Sequence, residues 1–517
     1  MTIKPIRSCW AITLISAMLC GAAARPALAQ TKDVTLDNAE GLLSLALSET
    51  KDAPVMQGRN AAAIFTALRI SRDVAVLPLF DRLRDSKFTE NQIFGMVATA
   101  ILTKDTSKVD AGLLVNTSDP SMVGSAIASL IDAGVISNEQ LQRLVTDAPD
   151  PAHRVMAAGE LNKRKILKDR TVLKMLLASS KDMVRHYAAA TMLEQKDDGE
   201  NDAALKALND MATRHDLRTA PVQAMILVKA QKENLVLMTP WVTLIARDEE
   251  NDEGLRLTAV STLLTLKGPD GPQVFTDMVQ KQKEPIQQVK LGLIALENAD
   301  RLKPAQMEPL ERSKSALART IAGIARKAAE GGDVTNDLVR LIREGHPILL
   351  NWAVVYSDRC DPDRKLALRT AIVAQASIVD EVRGGDFERA ALAAQKLLDD
   401  PSPDSRKAVQ TLVKSENRAV VEATLSGILR STSEKQSELV LPVWETISHS
   451  AAYEPSANFG ALILAREGHK EALPWLVSMV QGGKTQGIGF RTLAGWYYAR
   501  LSGQTDVLLK RVLETKN

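Results

Sequence analysis

The chain has 517 residues, with 65 Lys and Arg against 63 Asp and Glu, a formal net charge of +2. A balance so close to neutral gives no global pull on nucleic acid, which excludes the strongly basic binders of DNA and RNA. Aromatic residues make up only 4%, and alanine, leucine and charged residues dominate. That mixture argues against a sheet-rich fold and for helices almost throughout.

Residues 1–29 come first and read as a leader, not as fold. Lys4 and Arg7 precede the apolar run SCWAITLISAMLCGAAA, and RPALA follows before Gln30. A basic start, a short apolar core and an Ala27-Leu28-Ala29 ending predict a cleaved secretory signal. The run from Ser8 to Ala24 is short for a spanning helix, and Arg25-Pro26 closes it; an uncleaved anchor is the alternative. Lipid attachment at Cys20 is disfavoured by the bulk of Leu19. Removing Lys4, Arg7 and Arg25 leaves 62 basic against 63 acidic side chains. Cys9 and Cys20 leave with the leader, so the mature chain keeps only Cys360 and cannot form an internal disulfide. A chain of this length buries enough apolar surface without one. Cys360 lies between aspartates in SDRCDPD, which raises a thiol pKa, and it reads as a small buried hydrophobe.

From residue 60 onward the chain repeats. Arg154 is followed by Ala157, Ala158 and Leu161 at +3, +4 and +7; Arg185 by Ala188, Ala189 and Met192; Val123 by Ala126, Ile127 and Leu130. Gln92, Arg218, Arg256 and Val289 head further copies with Gly95 and Met96, Pro221 and Val222, Ala259 and Val260, and Gly292 and Leu293. This spacing puts the residues on one face of a helix. Steps of about 31 to 38 residues mean stacked helical pairs, not one compact core. Small residues on that face let a neighbouring helix approach, and Asp119-Pro120, Asp150-Pro151 and Ser180-Lys181-Asp182 supply turns and N-caps. A first helix precedes each: VAVLPLFDRL at 74–83, and near the other end EALPWLVSMV at 471–480, each with a proline suited to a first helical turn.

These units resemble HEAT-type repeats, in particular the short HEAT-like kind. Asp182, Val184, Arg185, Ala188 and Ala189 carry the resemblance, with His153–Leu161 as a second copy and AVLPLF and ALPWLV as first helices. It covers about 60–300 well and 415–510 less closely. From 300 to 415 the spacing drifts, and GDFERAALAAQKLL at 385–398 fits a TPR-like helix equally. The resemblance implies an all-α solenoid of stacked hairpins, HEAT- or armadillo-like. It also implies structural roles for Asp182 and Arg185, paired along the stack, and for Arg154 and Arg256. Gly331-Gly332 marks the best boundary, giving a leader at 1–29, a first array at 30–330 and a second at 331–517. Roughly ten to twelve hairpins are expected.

Motifs for chemistry fail on inspection. GGKT at 482–485 lacks the earlier glycine and the preceding strand of a phosphate loop. The acidic loop at 247–254 offers Asp248, Glu250 and Asp252 but has Glu253 and Ala259 where a calcium loop needs glycine and glutamate. The six histidines form no zinc pattern, although His153 and His186 fall in register in successive repeats. No nucleophile elbow and no haem attachment site is present. The aromatic residues gather towards the C-terminus. In GFRTLAGWYYARL, Phe490, Leu493, Tyr497 and Leu501 share one face, so one of Trp496 and Tyr498 is expected at a margin. Two readings stay open there: a hydrophobic cap that closes the last repeat, or a partner-binding patch made of Trp475, Arg491, Trp496 and Tyr498.

The sequence therefore predicts an exported, non-enzymatic scaffold of the periplasm or envelope, with protein partners, no nucleic acid and no cofactor. Two alternatives stand beside it. One is an enzyme or accessory subunit acting on a cofactor-bearing protein, suggested by some short HEAT-like proteins. The other is a membrane-tethered structural component, if residues 8–24 stay attached.

Overall fold

The computed structural model describes residues 32–117, 119–167, 170–194, 201–214, 219–379, 382–482 and 487–514. Within them the chain forms 29 α-helices, a few 3-10 turns and one ladder of two two-residue strands. The fold is an all-α solenoid of HEAT-like helical hairpins. There are more hairpins than expected, because first helices as short as Ala111–Val115 and Glu308–Glu311 leave almost no periodic signal. The leader at 1–29 lies outside the described residues, as do residues 483–485 of GGKT. Among the described residues no helix is long and apolar enough to cross a membrane.

The described residues fall into two compact units. Ile93–Val334 form one; the residues up to Gln92, together with those from Thr335, form the other. The division at 334/335 lies close to Gly331-Gly332. The assignment of everything from 30 to 330 to one array does not hold, because residues 32–92 belong with the C-terminal repeats.

In the first unit, second helices stack on second helices: Pro120–Asp132 on Pro151–Lys163, then Asp182–Leu193, Ala220–Glu233 and Glu253–Thr265. Ala157, Ala158, Ala188 and Ala189 are fully buried at these crossings. Losing a large side chain there lets two backbones come together, which is how a low-aromatic sequence fills its core. Six of the second helices end in a residue with positive φ: Lys104 (53°), Gly134 (68°), Lys165 (60°), Asn234 (52°), Lys267 (60°) and Gly331 (82°). The next amide then closes back on the helix, as Val135 N on Leu130 O at 3.0 Å, Ile166 N on Leu161 O at 2.9 Å and Gly268 N on Leu263 O at 2.9 Å. This left-handed cap turns the chain into the following hairpin. Three of the six positions carry lysine, where the Cβ opposes the conformation by about 1 kcal/mol.

One repeat sits in a different register from the sequence reading. In the Ala220–Glu233 helix the buried residues are Gln223, Ile226, Leu227, Lys229 and Ala230, not Pro221, Val222 and Met225. Gln223 heads this copy, and Arg218 lies outside the described residues.

In the second unit the layer of second helices runs Gly385–Asp399, Arg418–Arg430, Glu454–Arg466 and Ile488–Leu501. The 385–398 stretch is thus a second helix of this stack. A ladder pairing Ile378 with Arg383 and Val379 with Val382 precedes it, which explains the drift in spacing. The stack then continues into the chain's own beginning. Ala61–Ile70 packs against Ile488–Leu501, and Lys32–Asp52 packs against Leu473–Gln481, Ile488–Leu501 and Thr505–Glu514. The first hairpin occupies the place of the repeat after the last.

Candidate functional site

Where arginine or glutamine heads a repeat, it acts as a tether. Arg154 Nε donates to Ala148 O at 2.5 Å, Arg185 Nε to Leu177 O at 3.3 Å, Arg256 Nε to Ala246 O at 3.3 Å and Arg491 Nε to Val480 O at 3.3 Å. Gln92 and Gln223 do the same through Nε2, to Ser86 O at 2.7 Å and Met211 O at 2.7 Å. In every case a donor at the start of the second helix satisfies a carbonyl at the end of the first, where helix carbonyls lack partners. The bond ties the two helices of each of these six hairpins together. Arg185 is therefore a packing device, and Arg491 is engaged inside its own hairpin.

Carboxylates at the same helix starts, or in the loop before them, link one repeat to the next. Asp182 accepts Arg214 at 3.0 Å and lies 3.5 Å from Arg185. Asp150 meets Lys181 at 3.0 Å, and Glu249 meets Lys281 at 2.6 Å. Burial works to raise the Asp150 pKa, but the Ala152 amide and Lys181 outweigh it and hold the carboxyl below its ordinary value. In the acidic loop, Asp252 caps its helix through Leu255 N and Asp248 accepts from Glu250 N.

The two histidines in register do not form a pair. His153 Nε2 lies 2.8 Å from Pro120 O, whereas His186 Nδ1 lies 2.8 Å from Asp182 O of its own helix. His186 is fully buried with its ring edge-to-face against Trp241, and burial pushes its pKa down to about 4. A neutral imidazole donating to a carbonyl suits that setting. No group of three or more His, Cys, Asp and Glu among the described residues is arranged to hold a metal. Cys360 is half-buried, and burial pushes its thiol up.

The aromatic cluster divides in two. Trp496 and Tyr498 are both buried, at 1% and 4% exposure, so neither lies at an exposed margin. The first hairpin and the turn after it cover Trp496 and Tyr497. Trp496 Nε1 donates to Asp73 Oδ2 at 3.0 Å, Tyr497 OH reaches Ser71 O at 3.4 Å and Arg500 lies 3.5 Å from Asp73. The reading as a closing cap describes this half, with residues more than 400 positions upstream supplying the cover. A Cβ built on Gly495 would sit 2.8 Å from Ala39 Cβ, which shows how closely the helices meet.

Trp475 is different. It is partly exposed and packs edge-to-face with Trp444, ring centres 6.4 Å apart. Around the pair lie exposed Leu441, Pro442 and Pro474 on the two first helices Ser437–Ser448 and Leu473–Gln481. Trp444 is wedged over Gly460, so the ridge is held rigid from beneath. Sequence reasoning passed over Trp444 and Leu441. The signal was there, in the Leu441-Pro442 and Leu473-Pro474 pairs each followed by tryptophan. In the other unit an open pocket of about 520 Å³ is lined by Val236, Thr239, Pro240, Lys267 and Pro269, with Leu237 and Leu244 exposed nearby.

No protein-family profile and no curated protein matches the chain. Solved structures of Kap121p are similar to it: bound to Nup53p (13% identity, 94% of this chain and 59% of that one, TM-score 0.32), bound to RanGTP (11%, 94%, 55%, TM-score 0.33), and bound to the SUMO protease Ulp1p (12%, 94%, 59%, TM-score 0.31). The chain spans less than two thirds of those chains. At such values the likeness decides nothing about activity or partners. The solenoid stands on the stacked hairpins of this chain alone.

Proposed function

We propose that the protein is a non-catalytic scaffold that holds a protein partner in the periplasm or at the cell envelope. The observation that carries this reading is the Trp444–Trp475 ridge with Leu441, Pro442 and Pro474. Tryptophan held rigid at a surface contributes large contact area with little entropy lost, which is why it recurs at binding hot spots. The leader-like residues 1–29 support the address. The tethers and inter-repeat ion pairs support a stiff surface over a mobile catalytic one.

The test is photo-cross-linking in intact cells, with the reactive residue at Leu441 or Pro474 and a control at exposed Val228 in the other unit. Mass spectrometry identifies both the adduct and the mature N-terminus. A reproducible envelope protein cross-linked from the ridge and not from Val228, lost in Trp475→Ala, is the expected result. Equal labelling from both positions sinks the ridge, and an N-terminus that retains residues 1–29 sinks the cleaved, exported form.

A further inference from the structure

A second cluster in the first unit has no part in the tethers. Glu194 caps the Asp182–Leu193 helix, and Glu233 ends the Ala220–Glu233 helix, one repeat on. Their carboxyl groups lie within hydrogen-bonding reach of each other. Around them, Lys229 Nζ stands 2.5 Å from Glu194 Oε1, Asn162 Nδ2 donates to Glu194 Oε2 at 2.6 Å, and Lys163 Nζ is 3.8 Å from Glu233. Lys229 also reaches Thr191 Oγ1 at 3.4 Å and lies over the Tyr187 ring. Lys229 and Glu194 are 7% and 10% exposed and Glu233 18%, so water does little of the screening; Lys163 is half exposed. The neighbouring Glu253–Thr265 helix faces this end with Ser261 and Thr265, which bind Gln231 and bring no charge.

Two carboxyl groups in hydrogen-bond contact need a proton between them, because neither carboxylate can donate. Lys229 is committed to Glu194, which stays ionised. The proton therefore belongs to Glu233. We propose that the Glu194–Glu233 pair is a proton-dependent latch between two successive repeats, closed while the pair holds one proton and released when it loses it. Burial and the Glu194 carboxyl push Glu233 up to about 7, which puts the release in the neutral range. With both groups ionised, Lys229 and the half-exposed Lys163 must serve two carboxylates that repel each other, and the second helices of the two repeats are driven apart. Successive helices set the curvature of a solenoid, so the latch makes the surface of this unit respond to acidity.

The experiment is amide hydrogen exchange on the full chain at pH 6 and pH 8, corrected for intrinsic rates. An opening that returns Glu233 to its ordinary carboxylate range predicts about tenfold loss of protection from pH 6 to pH 8 in residues 186–194 and 226–233. Protection elsewhere in the unit stays level. Glu233→Gln keeps a donor facing Glu194 and does not titrate, so its protection stays at the pH 6 level throughout. Glu194→Gln removes the like charge and flattens the profile as well. Wild-type protection that is unchanged between the two pH values overturns the proposal whatever the variants do. So does a parallel loss in wild type and Glu233→Gln.

Discussion

Gly427 offers the sharpest check on how the second unit is packed. It lies in the Arg418–Arg430 helix, where every residue from Ala419 to Ile428 is buried. A Cβ added at Gly427 would stand 2.5 Å from Ala391 O, 2.7 Å from Ala394 Cβ and 2.8 Å from Gln395 N. Two of these are backbone atoms of the Gly385–Asp399 helix and cannot rotate away. An ordinary C···O contact needs about 3.3 Å, so the helices must part by about 0.8 Å. A gap of that size forfeits a quarter to a half of each dispersion contact it opens. Over roughly fifty atom pairs of about 0.15 kcal/mol, the loss is about 3 kcal/mol. Alanine returns about 1 kcal/mol through helix propensity, so Gly427→Ala is expected to destabilise the unit by about 2 kcal/mol. Gly41 is the control: it sits in the Lys32–Asp52 helix of the same unit with nothing within 4 Å of its built Cβ. Gly41→Ala should stabilise by about 1 kcal/mol. Urea unfolding followed by tryptophan fluorescence suits the comparison, because Trp352, Trp444, Trp475 and Trp496 all lie in this unit. At an m-value of about 2 kcal/mol/M, the Gly427 variant's midpoint falls by about 1 M. Equal midpoints for the two variants would refute the close helix contact.

Three further outcomes are expected. Lys165→Gly relieves a left-handed lysine (φ 60°) and should raise stability by about 0.5–1 kcal/mol in thermal melts, with Lys165→Ala giving no such gain. Asp73→Ala removes the acceptor for Trp496 Nε1, the partner of Arg500 and the cap on Ala75 N; a loss of about 2–3 kcal/mol and a red shift of Trp496 emission should follow, and unchanged emission would contradict the docking of the first hairpin. His186 has its folded pKa depressed to about 4 from 6.5, so neutral imidazole is the form the fold prefers. Its contribution is present above pH 6.5 and is lost as pH falls from there towards 4, about 3 kcal/mol in all; urea midpoints of wild type and His186→Phe should converge over that window.

Much of the architecture was legible because a helical repeat writes its core locally. Ala157, Ala158, Ala188 and Ala189 mark helix crossings by spacing alone, and Pro78 and Pro474 mark helix starts. The role of the repeat-heading residue was half legible. Arginine recurs at +0 of the pattern, but the carbonyl it meets closes a loop whose length varies between repeats. That is why Gln223, which performs the same task, went unseen behind Arg218. The burial of Trp496 and Tyr498 could not be read from GFRTLAGWYYARL at all. Helix periodicity says which residues share a face, but not that a segment around Asp73 covers the second face. Trp475 keeps its partial exposure although Lys32–Asp52 packs against its helix, because its ring turns towards Trp444 on the neighbouring first helix.

The docking of the first hairpin on the last repeats has a consequence for synthesis. The helices Lys32–Asp52 and Ala61–Ile70 pack on each other and on residues 473–514. About 400 residues must be made between them, which takes roughly 20–80 s at ordinary elongation rates. Throughout that time Leu36, Leu43, Ile64 and Leu68, all buried in the finished protein, lack the part of their cover that the last repeats supply. The intervening repeats can zip up from neighbour to neighbour as they emerge, but this unit closes only in a final step of high contact order. A ribosome stalled before residue 473 leaves a chain that is mostly folded yet exposes a sticky amphipathic hairpin at its front, the substrate that holdase chaperones recognise.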